Sequence, residues 1–142
     1  MIAIFIAVII DQLSKIWALF QLKPMESYEF VPGILHLTYA ENTGAAFSML
    51  AGSKVFLIIF PLIICAVLVY ILVSKKISNK IGNWSIVLIL GGAIGNLIDR
   101  IFRGAVIDFF EIRLFKFAIF NVADIYYCWC NSTFYMYFVF CR

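Results

Sequence analysis

Charged residues are scarce in this sequence. Only 13% of its 142 residues are Asp, Glu, Lys or Arg, whereas 65% are hydrophobic, and the mean hydropathy is +1.04. So few charges cannot cover the surface of a soluble globular protein, which excludes that class and indicates an integral membrane protein. The net charge of +3 is small and the basic residues are scattered among apolar runs, so nothing indicates binding to nucleic acid.

Metal-binding and redox motifs are also lacking. The chain has one histidine, His36, and its four cysteines all lie in apolar stretches. Cys128 and Cys130 form Cys-x-Cys, which is not the Cys-x-x-Cys spacing of redox and zinc sites. We therefore expect no metal and no cofactor.

Long apolar runs are present, and four of them can cross a bilayer, which takes about 20 residues per helix. We predict transmembrane helices over about residues 2–20, 55–73, 84–103 and 122–140. In the first helix, Asp11 and Lys15 are four residues apart and can pair along one face. In the third, Gly91 and Gly95 form G-x-x-x-G, a spacing that lets another helix approach closely.

The loops predict the orientation of these helices. Lys75, Lys76 and Lys80 lie between the second and third spans, and lysine-rich short loops are typically cytoplasmic. Both termini are then cytoplasmic, and residues 21–54 and 104–121 face outward.

The first outer segment has strand-like composition on both sides of the turn at Pro32-Gly33. We therefore expect an outer β segment within about residues 21–54. The predicted fold is an all-α membrane protein with four transmembrane helices and a small extracytoplasmic β element between helices 1 and 2. Residues 1–142 would form one membrane-embedded domain.

Acidic residues and asparagines cluster in the last third of the chain. Asn96 and Asp99 form one N-x-x-D motif, Asn121 and Asp124 form another, and Asp108 lies between them. Ionisable groups in apolar segments are costly, so they point to function. Asn121 is a favoured helix N-cap, which puts Asp124 in the first turn, where the helix dipole stabilises an anion. Asp108 follows the third span, so a short loop can bring the two carboxylates together near the outer interface.

Two neighbouring carboxylates do not both ionise easily, and such a pair can perform acid–base catalysis. We expect Asp124 to be the ionised base that activates water and Asp108 to be the protonated partner. The residues alone leave an alternative open, in which Asp124 only caps a helix and Asp108 is a loop acid near Arg103 or Arg113. Arg100 is expected to pair with another carboxylate or to reach lipid headgroups.

Five motifs follow one another between residues 11 and 124: DQLSK at 11–15, NTGAAFS at 42–48, GGAIGNLIDR at 91–100, VIDF at 106–109 and FNVAD at 120–124. In this order they resemble the prolipoprotein signal peptidase family (signal peptidase II). The resemblance implies a four-helix bacterial membrane protease that removes the signal peptide in front of a diacylglyceryl-modified cysteine. It implies that Asp108 and Asp124 are the catalytic aspartates. The candidates for substrate binding or bracing of the site are Asp11, Lys15, Asn42, Gly44, Asn96, Asp99, Arg100 and Asn121.

The resemblance also implies the partners and the location. The partners are a lipid-modified prolipoprotein substrate, membrane lipid and globomycin-like inhibitors. The location is the bacterial cytoplasmic (inner) membrane, multi-pass, with both termini cytoplasmic and the active site near the extracytoplasmic face.

Two other functions stay open. A small proton-coupled transporter would use Asp11, Asp99 and Asp124 as a relay, although the internal repeats typical of transporters are missing apart from N-x-x-D. The run after Asp124 is unusual for a closing transmembrane helix, and an inactive family member would also fit it.

Overall fold

A computed structural model describes residues 2–44, 54–115 and 117–130 of the chain. The first helix, α1, is followed directly by a π-helical segment, and strands β1 and β2, helices α2 and α3 and strand β3 come next. Their bounds are α1 Ile2–Trp17, π-helix Ala18–Leu22, β1 Ser27–Val31, β2 Leu35–Asn42, α2 Lys54–Val73, α3 Lys80–Phe102 and β3 Val106–Ile112. Residues 122–130 form a further helix, α4.

Three helical segments among the described residues are long and apolar enough to cross a membrane. They are Ile2–Leu22, Val55–Val73 and Lys80–Phe102, with mean hydropathies of 1.9, 3.2 and 1.6. By length and composition, their positions agree with the first three predicted spans. Helix α4 begins where the fourth span is predicted, but residues 131–140 of that span lie outside the described part of the chain.

Helix α3 begins four residues earlier than predicted. The side chain of Asn79 accepts a hydrogen bond from the Gly82 N–H at 2.5 Å and so caps the helix. Lys80, which we assigned to the loop, is therefore the first helical residue.

Glycines on α3 allow its neighbours to pack closely. A Cβ added at Gly91 would collide with Ala7 of α1, and one added at Gly95 would collide with the carboxyl group of Asp11. On another face, a Cβ at Gly92 would lie 3.0 Å from the backbone oxygen of Ala123 in α4. The G-x-x-x-G prediction is thus confirmed, with α1 as the partner helix.

The three strands form one antiparallel sheet in the order β1-β2-β3. Strands β1 and β2 make the predicted hairpin, and Gly33 in its turn has a φ of +70°. The helix-rich fold with a small β element between the first two helices is as predicted, but a third strand was not predicted, because β3 follows α3 and pairs with β2. Buried Ile107 and Phe109 pack against Ala18 and Leu22, the first and last residues of the π-helical segment, so the sheet packs on the segment that follows α1.

Candidate active site

Strand β3 carries Asp108, whose carboxyl group is held by two asparagine side chains. The register of the sheet pairs Ala40 with Asp108 and Asn42 with Val106. From this neighbouring position Asn42 Nδ2 donates to Asp108 Oδ2 at 3.1 Å, while Asn121 Nδ2 donates to Asp108 Oδ1 at 2.6 Å. Asp108 itself is only 3% exposed. Each oxygen of this buried carboxyl group therefore accepts from a neutral amide.

Asn121 also connects Asp108 to Asp124. Its side-chain Oδ1 accepts from the backbone N–H of Asp124 at 3.3 Å, and its own N–H donates to Asp124 Oδ2 at 3.0 Å. This reciprocal pair is a capping box, with Asn121 as the N-cap and Asp124 at the third helical position. The capping role predicted for Asn121 is confirmed. One asparagine side chain thus contacts both the acid on β3 and the N-terminal turn of α4.

Both carboxylates line one cavity of about 470 Å³. Its polar wall consists of Asn42, Asn96, Arg100, Asp108, Asn121 and Asp124. Its other wall is mainly apolar and comprises Val106, Ile112, Phe117, Ala118, Ile119, Phe120, Ile125, Tyr127 and Cys128. A few polar groups converging in a largely apolar cleft of this size are typical of a small-molecule or peptide site.

The environment of Asp108 favours its protonated form. Its pKa is raised to about 6, mainly by burial and further by the negative charge of Asp124. The hydrogen bonds from Asn121 and Asn42 oppose this shift because they stabilise the carboxylate. Asp108 therefore titrates near the pH at which acid–base catalysts operate.

A buried ionic cluster lies between α1 and α3, behind the cavity. Lys15 Nζ is 2.8 Å from Asp11 Oδ2 and 2.9 Å from Asp99 Oδ2, and all three side chains are fully buried. The pairing of Asp11 with Lys15 is as predicted. Lys15 also donates to Asn96 Oδ1 at 2.7 Å, and Asn121 donates to the same oxygen at 3.3 Å. Asn96 therefore connects the ionic cluster, through Asn121, to Asp108 and Asp124.

Arg100 does not make the contact expected from the sequence. Its Nη2 donates to the backbone oxygen of Gly44 at 3.0 Å, rather than to a carboxylate. The N–H of Gly44 in turn donates to Asn42 Oδ1 at 3.0 Å, which places this segment at the rim of the site. The guanidinium still interacts electrostatically with Asp108 and Asp124. Its buried Nε has no hydrogen-bond partner among the described residues.

All ten candidate residues therefore belong to one connected region. Six line the cavity, Gly44 contacts two of those six, and Asp11, Lys15 and Asp99 lie behind them. Sequence reasoning missed two contributors. Gln12 Nε2 donates to Asp11, Asp99 and the Gly95 backbone oxygen, and Arg103 forms an ion pair with Asp99. The four-residue spacing of Asp99 and Arg103 was the available signal. Within the three described ranges, no three His, Cys, Asp or Glu side chains are grouped to hold a metal ion.

Comparison with known proteins identifies the family. The pattern of the family described as Signal peptidase (SPase) II matches residues 3–140. The chain belongs to the signal peptidase II family. The lipoprotein signal peptidase of Caldanaerobacter subterraneus subsp. tengcongensis is 44% identical over 117 residues, which cover 82% of this chain and 79% of that protein. The lipoprotein signal peptidase of Clostridioides difficile is 40% identical over 117 residues, which cover 82% and 78%.

A solved structure agrees with this membership. It is a bacterial membrane enzyme determined by the in meso method at 2.3 Å resolution, and it is similar to this chain with a TM-score of 0.89. The sequence identity is 31%, and the match covers 97% of this chain and 85% of that one. Signal peptidase II membership makes this chain a membrane protease and decides against the transporter.

Proposed function

We propose that this signal peptidase II member is an aspartic endopeptidase with Asp108 and Asp124 as its catalytic pair. It cleaves the signal peptide from diacylglyceryl-modified prolipoproteins, N-terminal to the lipidated cysteine. The observation that carries the proposal is that Asn121 contacts both aspartates. It donates to Asp108 at 2.6 Å and forms a capping box with Asp124, and all three residues line one cavity.

The two aspartates have different surroundings, and these support different roles. Asp124 lies in the first turn of α4 and accepts a backbone N–H, an arrangement that stabilises an anion. Asp108 is buried, and its pKa of about 6 lets it hold a proton close to neutral pH. Asp124 is accordingly the base and Asp108 the acid.

The reaction then needs no covalent enzyme intermediate. Asp124 takes a proton from a water molecule as the water oxygen attacks the scissile carbonyl carbon. Asp108 donates its proton to the amide nitrogen, the C–N bond breaks, and the amine leaves. Asp108 Oδ1 accepts from Asn121 and Oδ2 accepts from Asn42, and the lone pair left on either oxygen can carry the transferred proton. The charge of Arg100, on the same cavity wall, offsets the negative charge that develops on the carbonyl oxygen.

The apolar wall of the cavity supports a lipid-modified substrate. Ile112, Phe117, Ile119, Phe120 and Ile125 provide a surface on which acyl chains and an apolar signal peptide can be buried. The three membrane-spanning candidates and the lysines at 75 and 76 support a multi-pass protein of the bacterial cytoplasmic membrane. The site then lies near the extracytoplasmic face, with both termini cytoplasmic.

The test uses the purified full chain in detergent with a diacylglyceryl-modified precursor and the same precursor without lipid. We expect cleavage of the lipidated precursor alone, with a product that begins at the lipidated cysteine by mass spectrometry. EDTA and serine- or cysteine-directed reagents should leave the rate unchanged, because two carboxyl groups and water perform the chemistry. Loss of cleavage in EDTA with recovery on adding zinc would contradict the aspartic mechanism.

A further inference from the structure

The ammonium group of Lys15 contacts two carboxylates and, in addition, one neutral side chain that is not needed to balance its charge. Two of its neighbours are the carboxylates of Asp11 and Asp99, at 2.8 and 2.9 Å. Arg103 forms a second ion pair with Asp99, so two cations and two anions balance within this cluster. The third neighbour of Lys15, at 2.7 Å, is the neutral side chain of Asn96, which lines the cavity. This contact points from the ionic cluster toward the aspartates.

The chemistry of the ammonium fixes the orientation of the asparagines beyond it. An ammonium group only donates, so Asn96 must turn its Oδ1 toward Lys15. The same oxygen accepts from Asn121 Nδ2 at 3.3 Å, and the other hydrogen of that amide goes to Asp108 Oδ1 at 2.6 Å. A flipped Asn96 would bring its NH₂ group against an ammonium and a second amide donor. Lys15 therefore fixes the orientation of the Asn96 amide, and Asn96 in turn fixes the orientation of the Asn121 amide that donates to Asp108.

We infer that Lys15 is a positioning residue for the proposed dyad, acting through Asn96 and Asn121 to keep a donor on Asp108 Oδ1. The inference rests on the proposed aspartic mechanism. It assigns the buried cluster a role in the protonation of Asp108 as well as in joining α1 to α3.

The charged groups around Asp108 set the direction of the expected effect. Lys15 of α1 and Arg100 of α3 interact with it as cations, Asp124 of α4 as an anion, and β2 contributes the neutral Asn42. The charge of Lys15 and the amide of Asn121 both favour the ionised form of Asp108. Losing them raises its pKa above about 6. Because Asp108 acts as the acid, the alkaline limb of the pH–rate profile then moves to higher pH.

Lys15→Met alone would leave a buried acid without its partner, so the test uses charge-balanced variants. Asp11→Asn/Lys15→Met removes one anion and one cation and keeps Asp99 paired with Arg103. Its matched control is Asp11→Asn, which retains the contact of Lys15 with Asn96. Asn96→Leu is the second variant, because it cuts the connection and leaves every ion pair in place.

The measurement is kcat and kcat/KM against pH on lipidated precursor in detergent. We expect the alkaline limb of the double variant to lie about one pH unit higher than that of Asp11→Asn. The limb of Asn96→Leu should lie higher than that of wild type by the same amount. About one pH unit corresponds to the free energy of one charge-assisted hydrogen bond to Asp108. Lower rates with an unmoved limb in Asn96→Leu would mean a purely structural role and would overturn the inference. Should the double variant not fold, Asn96→Leu decides alone. Turnover by Asp108→Asn would instead contradict the proposed catalytic pair, which is a different result from an unmoved limb in Asn96→Leu.

Discussion

Gly95 on α3 allows the buried carboxyl group of Asp11 to lie directly against the helix. A Cβ added at this position would overlap Asp11 Oδ2 and lie 2.9 Å from its Cγ. The obstructing group is fully buried and paired with Lys15, so it cannot turn aside without lengthening the 2.8 Å ion pair. Gly95→Ala should therefore separate α1 from α3 or break the cluster.

The size of this effect follows from opposing contributions. Overpacking costs about 1–3 kcal/mol, and disturbing a buried ion pair costs about 3–5 kcal/mol when one partner is left alone. Alanine regains about 1 kcal/mol of helix propensity over glycine. We expect Gly95→Ala to lower the free energy of unfolding by about 2–5 kcal/mol, since the ion pair is lengthened but neither partner is removed.

The assay is SDS-induced unfolding of the purified protein, followed by tryptophan fluorescence. The matched control is Gly82→Ala in the first turn of the same helix, where the new Cβ would meet Cγ2 of Ile77 at 2.7 Å and Oδ1 of Asn79 at 3.3 Å. The control should lose less stability than Gly95→Ala, because it crowds two side chains but disturbs no buried ion pair. Equal unfolding midpoints for the two variants would refute the close packing of α1 on α3 at Gly95.

Three further predictions concern the site and the orientation. The pKa of Asp108 is raised to about 6 and the acid must be protonated to act, so kcat/KM should fall as the pH rises through this value. The alkaline limb of the kcat profile should lie at higher pH, because bound apolar substrate excludes more water from Asp108. A flat kcat/KM profile across that range would contradict the assignment. At about pH 5, the protonated-carboxyl infrared band that titrates near 6 should vanish in Asp108→Asn. It should remain detectable in Asp124→Asn with a lower midpoint, because the charge of Asp124 no longer raises the pKa of Asp108, and the opposite pattern would reverse the roles. Ser27→Cys on a cysteine-free background should react with an impermeant thiol reagent in intact spheroplasts, whereas labelling only after lysis would invert the topology.

Local spacing predicted several features of the site. The pairing of Asp11 with Lys15 follows from one helical turn, and the capping role of Asn121 follows from its position before an apolar run. The glycines on α3 predicted a close helix contact but not its partner, because spacing says nothing about which helix approaches. These three features thus depend on residues within a few positions of one another.

The remaining features depend on long-range geometry. Strand β3 was missed because Val106–Phe109 are all buried, so the run lacks the alternation that identifies a half-exposed strand. The contact between Asn42 and Asp108 joins residues 66 positions apart and is set by the register of β2 on β3. Lys15 and Asn96 are 81 positions apart, and their contact needs the relative rotation of α1 and α3. No spacing in the sequence encodes these arrangements.

The central claim, that Asp108 and Asp124 form a catalytic pair, is tested most directly by turnover of the lipidated precursor. Asp108→Asn and Asp124→Asn would be compared with Glu111→Gln, a control three residues from Asp108 on the same strand whose carboxylate bonds to Thr38 and Arg113 instead. We expect each dyad variant to lose at least about 100-fold in kcat, because each removes one partner of the acid–base pair, while Glu111→Gln keeps the wild-type rate. Membrane insertion and helix content should be the same in all four proteins. Turnover above about a tenth of the wild-type rate by either dyad variant would contradict the account.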